Sequence, residues 1–264
     1  MTTLSYAVAD SATMLRRNLK HMQRYPTMTL MIVAVPVIFL LLFVYVFGGT
    51  LGAGLGHLGG GRAVYLRYVT PGIILLTLGT QATSTAVSVA MDMSGGIIAR
   101  FRTMAIARVS VLTGHVLGSV LQSLLGIAIV IGIAVAMGFR TSADPLAWLA
   151  AIGVLVLITF AITWLSVALG MVSRSVETAS NLPMFLMLLP FLGSGFVPTG
   201  TMPVGLRWFA EYQPFTPVIQ TVRGLLVGDP IGDNAIMSIA WGAGIAALSY
   251  LWARRLYRRP MQAK

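Results

Sequence analysis

The sequence predicts an all-α integral membrane protein with six transmembrane helices, an amphipathic interfacial helix at the N-terminus and a re-entrant helical hairpin on the outside. Of its 264 residues, 57% are hydrophobic and 9% are charged, whereas about a quarter of the residues in a soluble domain are charged. The basic residues cluster beside long apolar stretches. Because such clusters anchor proteins to anionic lipid, we expect membrane lipids and no nucleic acid as partners of this charge.

Six stretches are long and apolar enough to cross a membrane as helices, which takes about 20 residues each. They cover residues 27–47, 70–90, 113–137, 147–171, 180–197 and 235–252. The fifth stretch is short and contains Pro183 and Pro190. Proline removes a backbone donor and bends a helix, so this span departs most from a regular transmembrane helix.

The distribution of Lys and Arg predicts the orientation. Thirteen of the 18 basic residues lie on the side that holds both termini, and five lie on the other side. Basic residues are in excess on the cytoplasmic side of membrane proteins. We therefore expect a multi-pass protein of the cell membrane with both termini in the cytoplasm, residues 91–108 inside and the glycine-rich residues 48–61 forming a flexible loop outside.

Residues 1–26 have the pattern of an amphipathic helix. Apolar residues recur at steps of three and four, namely Leu4, Val8, Ala12, Leu15, Leu19 and Met22. Arg17, Lys20 and Arg24 occupy a different face. This pattern favours a helix that lies in the cytoplasmic interface; the alternative is that the charges only anchor the first span.

Residues 198–233 form the longest outside segment and contain helix signals. Thr216 and Pro217 are typical of a helix N-cap followed by proline, and Gly228 is typical of a C-terminal stop. Val218, Val222, Leu225 and Leu226 form one apolar stripe between these signals. We therefore expect a half-buried helical hairpin that dips into the outer leaflet.

The sequence contains no recognisable motif that would supply energy for transport, and no recognisable catalytic centre. It has no cysteine, its three histidines are far apart, and its seven acidic residues lie at span ends or in connections. It contains no G-x-x-x-x-G-K-[ST] phosphate loop, and the missing intramembrane charges weigh against an ion- or proton-driven carrier. Catalysis and metal binding are therefore not expected, and the energy for any uphill transport must come from another subunit.

The second span carries a polar stripe of Thr77, Gln81, Ser84 and Ser88 on one helix face. Polar groups in lipid most often form hydrogen bonds between helices, so helix packing is the default interpretation. Lining a substrate path is the second interpretation, because amide and hydroxyl groups suit amphiphilic cargo.

The cytoplasmic segment "MDMSGGIIARFRTMAIAR", residues 91–108, interrupts the apolar pattern. Two glycines, Gly95 and Gly96, allow a sharp turn after the second span. An apolar ridge that includes Phe101 and Met104 is then flanked by Arg100 and Arg102. Such a helix suits a groove on a soluble partner; a lipid-facing interfacial helix is the alternative.

Three blocks of sequence resemble a known family. They are "DMSGGIIARFRTMAIARVSVLTGH", "SRSVETASNLPMF" and "SGFVPTGTMPVGLRWFAEYQPFTPVIQTVRGLLVG". Together they resemble the permease subunit of type-2 ABC exporters, specifically the daunorubicin-resistance branch. The resemblance implies a complex of two permease chains, identical or paralogous, with two ABC ATP-binding subunits. It also implies that the ATP-binding subunits hold ATP and Mg²⁺, and that the cargo is a hydrophobic drug, antibiotic or lipid-like molecule.

The resemblance also implies roles for individual residues. In the segment that docks on the ATP-binding subunit it places Asp92, Gly95, Arg100, Phe101 and Arg102. In the second cytoplasmic loop it places Arg174 and Glu177, and in the outside hairpin Pro198, Pro203, Pro214 and Arg223. Two residues depart from the family pattern, since Ala99 stands where an acid is common and Ala105 where proline is common. A secondary transporter, a membrane enzyme and a polysaccharide or lipid-linked glycan exporter are the alternative functions.

Overall fold

The computed structural model describes residues 26–55, 61–94 and 108–258, and within them the ordered elements are helices and turns. The helices are α1 (Pro26–Leu41), α2 (Gly48–Gly54), α3 (Arg62–Ser94), α4 (Arg108–Ala136), α5 (Pro145–Val172), α6 (Val176–Asn181), α7 (Met184–Leu188), α8 (Val204–Tyr212), α9 (Phe215–Val227) and α10 (Asn234–Arg258). A π-helical turn, Leu42–Phe47, joins α1 to α2, and a 3-10 turn, Thr199–Thr201, precedes α8.

Five helical stretches in the described residues are long and apolar enough to cross a membrane. They are Val33–Gly54, Arg62–Met93, Val116–Ala136, Pro145–Val172 and Asn234–Tyr257. They coincide with the first, second, third, fourth and sixth predicted spans, so the prediction of an all-α multi-pass membrane protein is confirmed. The predicted interfacial helix of residues 1–26 lies almost entirely outside the described residues.

Helix α3 is the centre of the bundle, and its apolar stretch is the most deeply buried of the five. Helices α1, α4, α5, α6, α7 and α9 pack against it. Helix α5 runs in the same direction, since Gly170 near its end lies against Ala86 near the end of α3. Helix α10 packs beside α5 in that direction too, with the rings of Trp164 and Tyr250 5.0 Å apart.

Helices α1 and α4 run opposite to α3. In α4, Gln122 bonds Gln81 of α3, and one turn later Gly126 lies beside Thr77. The first span continues through the π-helical turn into α2, where Gly48 lies against Arg62 at the start of α3. The prediction of a flexible loop over residues 48–61 is therefore wrong for residues 48–54, which extend the first span as helix.

The fifth predicted stretch, residues 180–197, is not one continuous helix. It consists of the end of α6, the short helix α7 and a run of turns. Pro183 stands between the two helices, and Pro190 stands within the turns that follow α7. Each proline removes a backbone donor from the helical ladder, which explains the break.

Despite the break, this segment follows α3 closely and in the opposite direction. Met187 lies against Gly79, and Gly195 lies against Gly72. The close approach of the two segments requires glycine at positions 72 and 79 of α3. A Cβ atom at Gly79 would stand 2.6 Å from the Cα atom of Met187, and one at Gly72 would clash with the backbone of Gly195. The segment therefore advances towards the N-terminus of α3, which brings it to the end of the bundle where the hairpin lies.

Candidate functional site

The polar stripe of α3 is divided between a buried half and an accessible half. Thr77 is fully buried and donates to the carbonyl oxygen of Ile73 in its own helix at 2.9 Å. Gln81, 2% exposed, donates through Nε2 to Oε1 of Gln122 in α4 at 3.1 Å. Ser84 is half-buried and Ser88 is exposed. Gln81 thus forms the interhelical hydrogen bond that the packing interpretation predicts. Ser88, in contrast, is accessible on the surface of α3.

The Gln81–Gln122 pair does not satisfy all of its polar atoms. The Oε1 atom of Gln81 is buried without a hydrogen-bond partner, and so is the Oγ1 atom of Thr85 one turn later. A buried acceptor without a partner is costly in a low-dielectric environment. The seam between α3 and α4 is therefore polar beyond what helix packing requires, which is compatible with both interpretations of the stripe.

Three residues of the predicted coupling set lie in the described part of the chain, at one end of the bundle. Asp92 is half-buried near the end of α3, and Arg174 and Glu177 are exposed around the start of α6, which packs against α3. Ser175 caps α6 by accepting from the backbone N–H of Thr178 at 3.2 Å. The other five, Gly95, Arg100, Phe101, Arg102 and Met104, lie outside the described residues.

The start of α6 favours a charged carboxylate. The pKa of the Glu177 carboxyl lies below its ordinary value because its own backbone N–H and the Ser175 side chain hydrogen-bond to it. Arg174 lies three residues earlier. An exposed acid and an exposed base therefore stand at the end of the bundle where the central helix α3 ends.

The hairpin consists of one exposed and one buried helix. In α8 only Ala210 is buried, while Val204 is 87% and Trp208 is 68% exposed. Arg207 and Glu211 form an ion pair at 2.8 Å along its surface. Helix α9, by contrast, is buried along nearly its whole length and packs against α3, α5 and α10. Helix α9 is therefore more deeply buried than the half-buried hairpin that the sequence predicts.

The three hairpin prolines occupy equivalent positions. Pro198 precedes the 3-10 turn, Pro203 precedes α8 and Pro214 precedes α9, each as the residue before the first helical one. Their fixed φ angle directs the chain into each new helix without a competing donor. The resemblance singled out these prolines, and the structure places each of them at a helix start.

Helix α9 begins earlier than predicted and ends as predicted. It begins at Phe215, whose backbone N–H donates to Oε1 of Gln213 at 3.0 Å. The expectation that Thr216 caps the helix is wrong, because that residue lies in the first turn and accepts a hydrogen bond from the backbone N–H of Ser194. Gly228 ends the helix with a φ of 92°, in the left-handed region that glycine favours.

Arg223 fastens the hairpin to two other elements. The residue is 6% exposed. Its Nε and Nη2 atoms donate to the carbonyl oxygen of Tyr68 in α3 at 3.2 and 3.0 Å, and Nη2 also donates to the carbonyl oxygen of Ser194 at 2.7 Å. The guanidinium carbon lies 3.8 Å from the centre of the Tyr68 ring. One buried cation thus joins α9, α3 and the broken fifth segment.

A cavity of about 160 Å³ opens beside this cation. It is lined by Val64, Arg67, Tyr68, Arg223, Val227 and Asp229. Nearby, Thr141 Oγ1 donates to the carbonyl oxygen of Leu226 at 2.6 Å, which ties the connection just before α5 to the end of α9. The starts of α3 and α5 and the end of α9 therefore meet at this end of the bundle, which we call the hairpin end.

Sequence reasoning missed two partners and one bridging residue. Nothing local in the sequence identifies the carbonyl groups that Arg223 binds or pairs Gln122 with Gln81. Gln213 was also missed, although it donates to the carbonyl oxygen of Leu189 and to Thr216 while it caps α9. An amide side chain within an apolar run draws attention to Gln122, but this signal does not identify the partner that the residue bonds. Within the described residues no cluster of metal-ligating side chains occurs.

The sequence matches the ABC-2 type transporter family over residues 11–227. It is 28% identical over 253 residues to the daunorubicin resistance ABC transporter permease protein DrrB1 of Streptomyces coeruleorubidus, an alignment that covers 96% of this chain and 87% of the relative. It is 25% identical over 194 residues to the probable doxorubicin resistance ABC transporter permease protein DrrC of Mycobacterium tuberculosis, covering 74% of this chain and 70% of the relative.

Proposed function

The chain belongs to the ABC-2 type transporter family, and from this premise we propose that it is the membrane-spanning subunit of an ATP-driven exporter of hydrophobic or amphiphilic compounds. The observation that carries the proposal is the family match across four of the five apolar helical stretches. The sequence has no phosphate loop of its own. ATP hydrolysis, with its Mg²⁺, therefore belongs to a separate subunit.

We propose that the complex contains two copies of that ATP-binding subunit and a second permease chain. Residues 91–108 form the main contact with the ATP-binding subunit in this proposal. Asp92 and Glu177 support it, since the helices that carry them, α3 and α6, pack against each other, and Arg174 lies two residues before α6. An exposed base and acid are suited to fixing the register of a docked partner.

The residues from 1 to 264 form a single permease domain with six membrane crossings in this proposal. The helix directions support it, since α1 and α4 run opposite to α3 whereas α5 and α10 run with it. The chain leaves α5 at one end of the bundle and begins α10 at the other, so the predicted fifth span, residues 180–197, supplies the crossing between them in this proposal. Both termini are then cytoplasmic, residues 1–26 form an interfacial helix and residues 198–233 form the outside re-entrant hairpin.

The cargo class is inferred from the relatives and from the composition of the bundle. The two relatives are named for resistance to daunorubicin and doxorubicin, which are amphiphilic drugs. Gln81, which bonds α4 through Gln122, offers an unpaired acceptor, and so does the buried Thr85 one turn later. Ser84 and Ser88 continue the polar face of α3. We propose that Thr77, Gln81, Ser84 and Ser88 contact cargo when the helices separate. The family assignment favours ATP-driven drug export over an ion-driven carrier or a polysaccharide exporter.

Helix α3 is suited to transmit the motion that couples ATP hydrolysis to export. It runs for 33 residues from the hairpin end to the coupling segment, a length of about 50 Å. Arg223 holds its first turns, and the coupling segment follows its last turn. A displacement at the cytoplasmic end is therefore delivered to the hairpin by one continuous helix.

Transport in a drug-sensitive bacterial host tests the proposal. The chain is expressed together with a candidate ATP-binding subunit that carries a phosphate loop, and the efflux of fluorescent daunorubicin is followed after preloading. We expect efflux to require both chains and to stop when the phosphate-loop lysine of the ATP-binding subunit is replaced. Efflux that persists with that inactive subunit and follows an imposed proton gradient would instead identify an ion-driven carrier.

A further inference from the structure

We propose that the cavity at the hairpin end is a binding site for the phosphate-bearing headgroup of a membrane phospholipid. Three charged side chains line this cavity, the bases Arg67 and Arg223 and the acid Asp229. The proposal concerns a lipid site and not the cargo path, so it stands or falls separately from the export function.

The charged side chains that line the cavity do not form ion pairs with one another. Among the described residues, an ion pair joins Arg207 to Glu211 in α8. Neither Arg67 nor Arg223 forms one with Asp229. Arg223 uses Nε and Nη2 for backbone carbonyl oxygens, and its Nη1 atom makes no hydrogen bond with the described residues. A guanidinium held by carbonyl oxygens and by the face of an aromatic ring forms no ion pair through these contacts, which favours an anion beside it.

The net charge of the three side chains determines whether the cavity attracts an anion or a cation. Two guanidinium groups and one carboxylate leave the cavity with net positive charge, so a phosphate is attracted and a purely cationic molecule is repelled. The Asp229 carboxylate then distinguishes among phosphate-bearing ligands. It favours a headgroup that carries an amine next to the phosphate, as ethanolamine does, over one that carries a glycerol.

The depth of the cavity matches the level of lipid phosphates. Arg67 lies five residues after the start of α3, just before the predicted apolar span of residues 70–90. Because α3 is about 50 Å long and the hydrocarbon core is about 30 Å thick, its first turns lie at headgroup level. Trp208 and Tyr212, both exposed on α8, are residues enriched at that level.

Lipid titration of the purified full chain tests the proposal, with bound lipid counted by native mass spectrometry. We expect phosphatidylethanolamine to bind more tightly than phosphatidylglycerol. Arg67→Gln should weaken phosphatidylethanolamine binding about tenfold, because a hydrogen bond to a charged group is lost. Arg255→Gln, at an exposed arginine near the end of α10 and so at the opposite end of the bundle, is the control and should leave binding unchanged within about twofold.

Two further arms separate the lipid from other occupants. Asp229→Asn should shift the preference towards phosphatidylglycerol, since the carboxylate that attracts the amine is removed. Inorganic phosphate should fail to displace the lipid; displacement together with the same dependence on Arg67 would assign the cavity to free phosphate and overturn the lipid site. Equal lipid binding by the Arg67→Gln and Arg255→Gln proteins would also overturn it.

Discussion

Arg223 in the hairpin holds Tyr68 of the central helix by two interactions at once. Its Nε and Nη2 atoms donate to the carbonyl oxygen of Tyr68, and its guanidinium carbon lies over the ring of the same residue at 3.8 Å. A third bond reaches Ser194. This one side chain therefore links the hairpin both to α3 and to the broken fifth segment.

Arg223→Lys tests this fastening. An ammonium group keeps the charge but lacks the planar fork that reaches two carbonyl oxygens. We expect a loss of about 1.5 to 3 kcal/mol in stability from the broken charge-assisted bonds, measured as a lower melting temperature of the purified protein. The exposed Arg140→Lys variant is the control, and equal melting of the two proteins would contradict the fastening role.

The packing of the broken fifth segment on α3 depends on Gly79. A Cβ atom there would meet the backbone of Met187 at 2.6 Å, and a backbone atom cannot rotate away as a side chain does. Gly79→Ala should therefore cost about 1 to 3 kcal/mol by overpacking. In Gly153→Ala the added atom meets nothing within 4 Å, so stability should hold or rise, because alanine is the better helix former. Similar loss in both variants would show that the effect is not close packing.

The four continuous spans after the first were predictable because each is a long apolar run, and run length alone determines whether a helix crosses lipid. The fifth could be predicted as apolar but not as broken and still closely packed. Its contacts with Gly72 and Gly79 join residues more than 100 positions apart, and no local pattern encodes them. The same is true of Arg223, whose bond to Tyr68 spans 155 residues.

Of the candidate site, the sequence predicted the polar stripe and the hairpin better than their partners. Gly228 ends α9 as expected from its freedom to adopt positive φ. Thr216 does not cap α9, because Gln213 supplies the acceptor for the backbone N–H of Phe215 instead. Both side chains carry an oxygen that can accept such a bond, so the local sequence alone does not decide between them. Gln122 was not separable from other span residues until the fold placed it opposite Gln81.

The six-crossing topology predicts which positions a membrane-impermeant thiol reagent reaches. Single cysteines are introduced into this cysteine-free chain at four exposed positions, Gly54, Leu206, Arg174 and Arg255. In intact cells, Gly54→Cys and Leu206→Cys should label, whereas Arg174→Cys and Arg255→Cys should label only after permeabilisation. If Leu206→Cys behaves like Arg174→Cys, residues 180–197 do not cross the membrane.

Val222 tests whether α9 is an integral part of the fold. Its side chain is fully buried, whereas Val204 in the same hairpin is 87% exposed. Val222→Asp places an unpaired charge in the interior and should cost about 3 kcal/mol or more, seen as loss of folded protein in fluorescence-detected size-exclusion chromatography. Val204→Asp should fold normally. Normal folding and export of the Val222→Asp protein would show that α9 is dispensable for the fold.

The coupling segment yields the last prediction, which rests on the sequence pattern of residues 91–108. In the proposed contact with the ATP-binding subunit, Phe101 is the expected aromatic anchor in a groove of that subunit, and Arg100 and Arg102 are expected to fix the register. Phe101→Ala should weaken docking by about 1 to 3 kcal/mol if the ring is a buried hot spot, measured as the affinity between the purified subunits.

Reversing both arginines separates docking from general surface charge. The Arg100→Glu, Arg102→Glu protein should insert in the membrane, yet hydrolysis of ATP should no longer drive efflux. Arg254→Glu with Arg255→Glu is a matched control, because these two exposed arginines lie near the end of α10, which runs in the same direction as α3, and carry the same total charge. Both double variants lose equal attraction to anionic lipid, so a defect confined to the Arg100 and Arg102 pair identifies a protein partner. Co-purification and normal efflux in that variant would instead leave the segment as a lipid-facing interfacial helix.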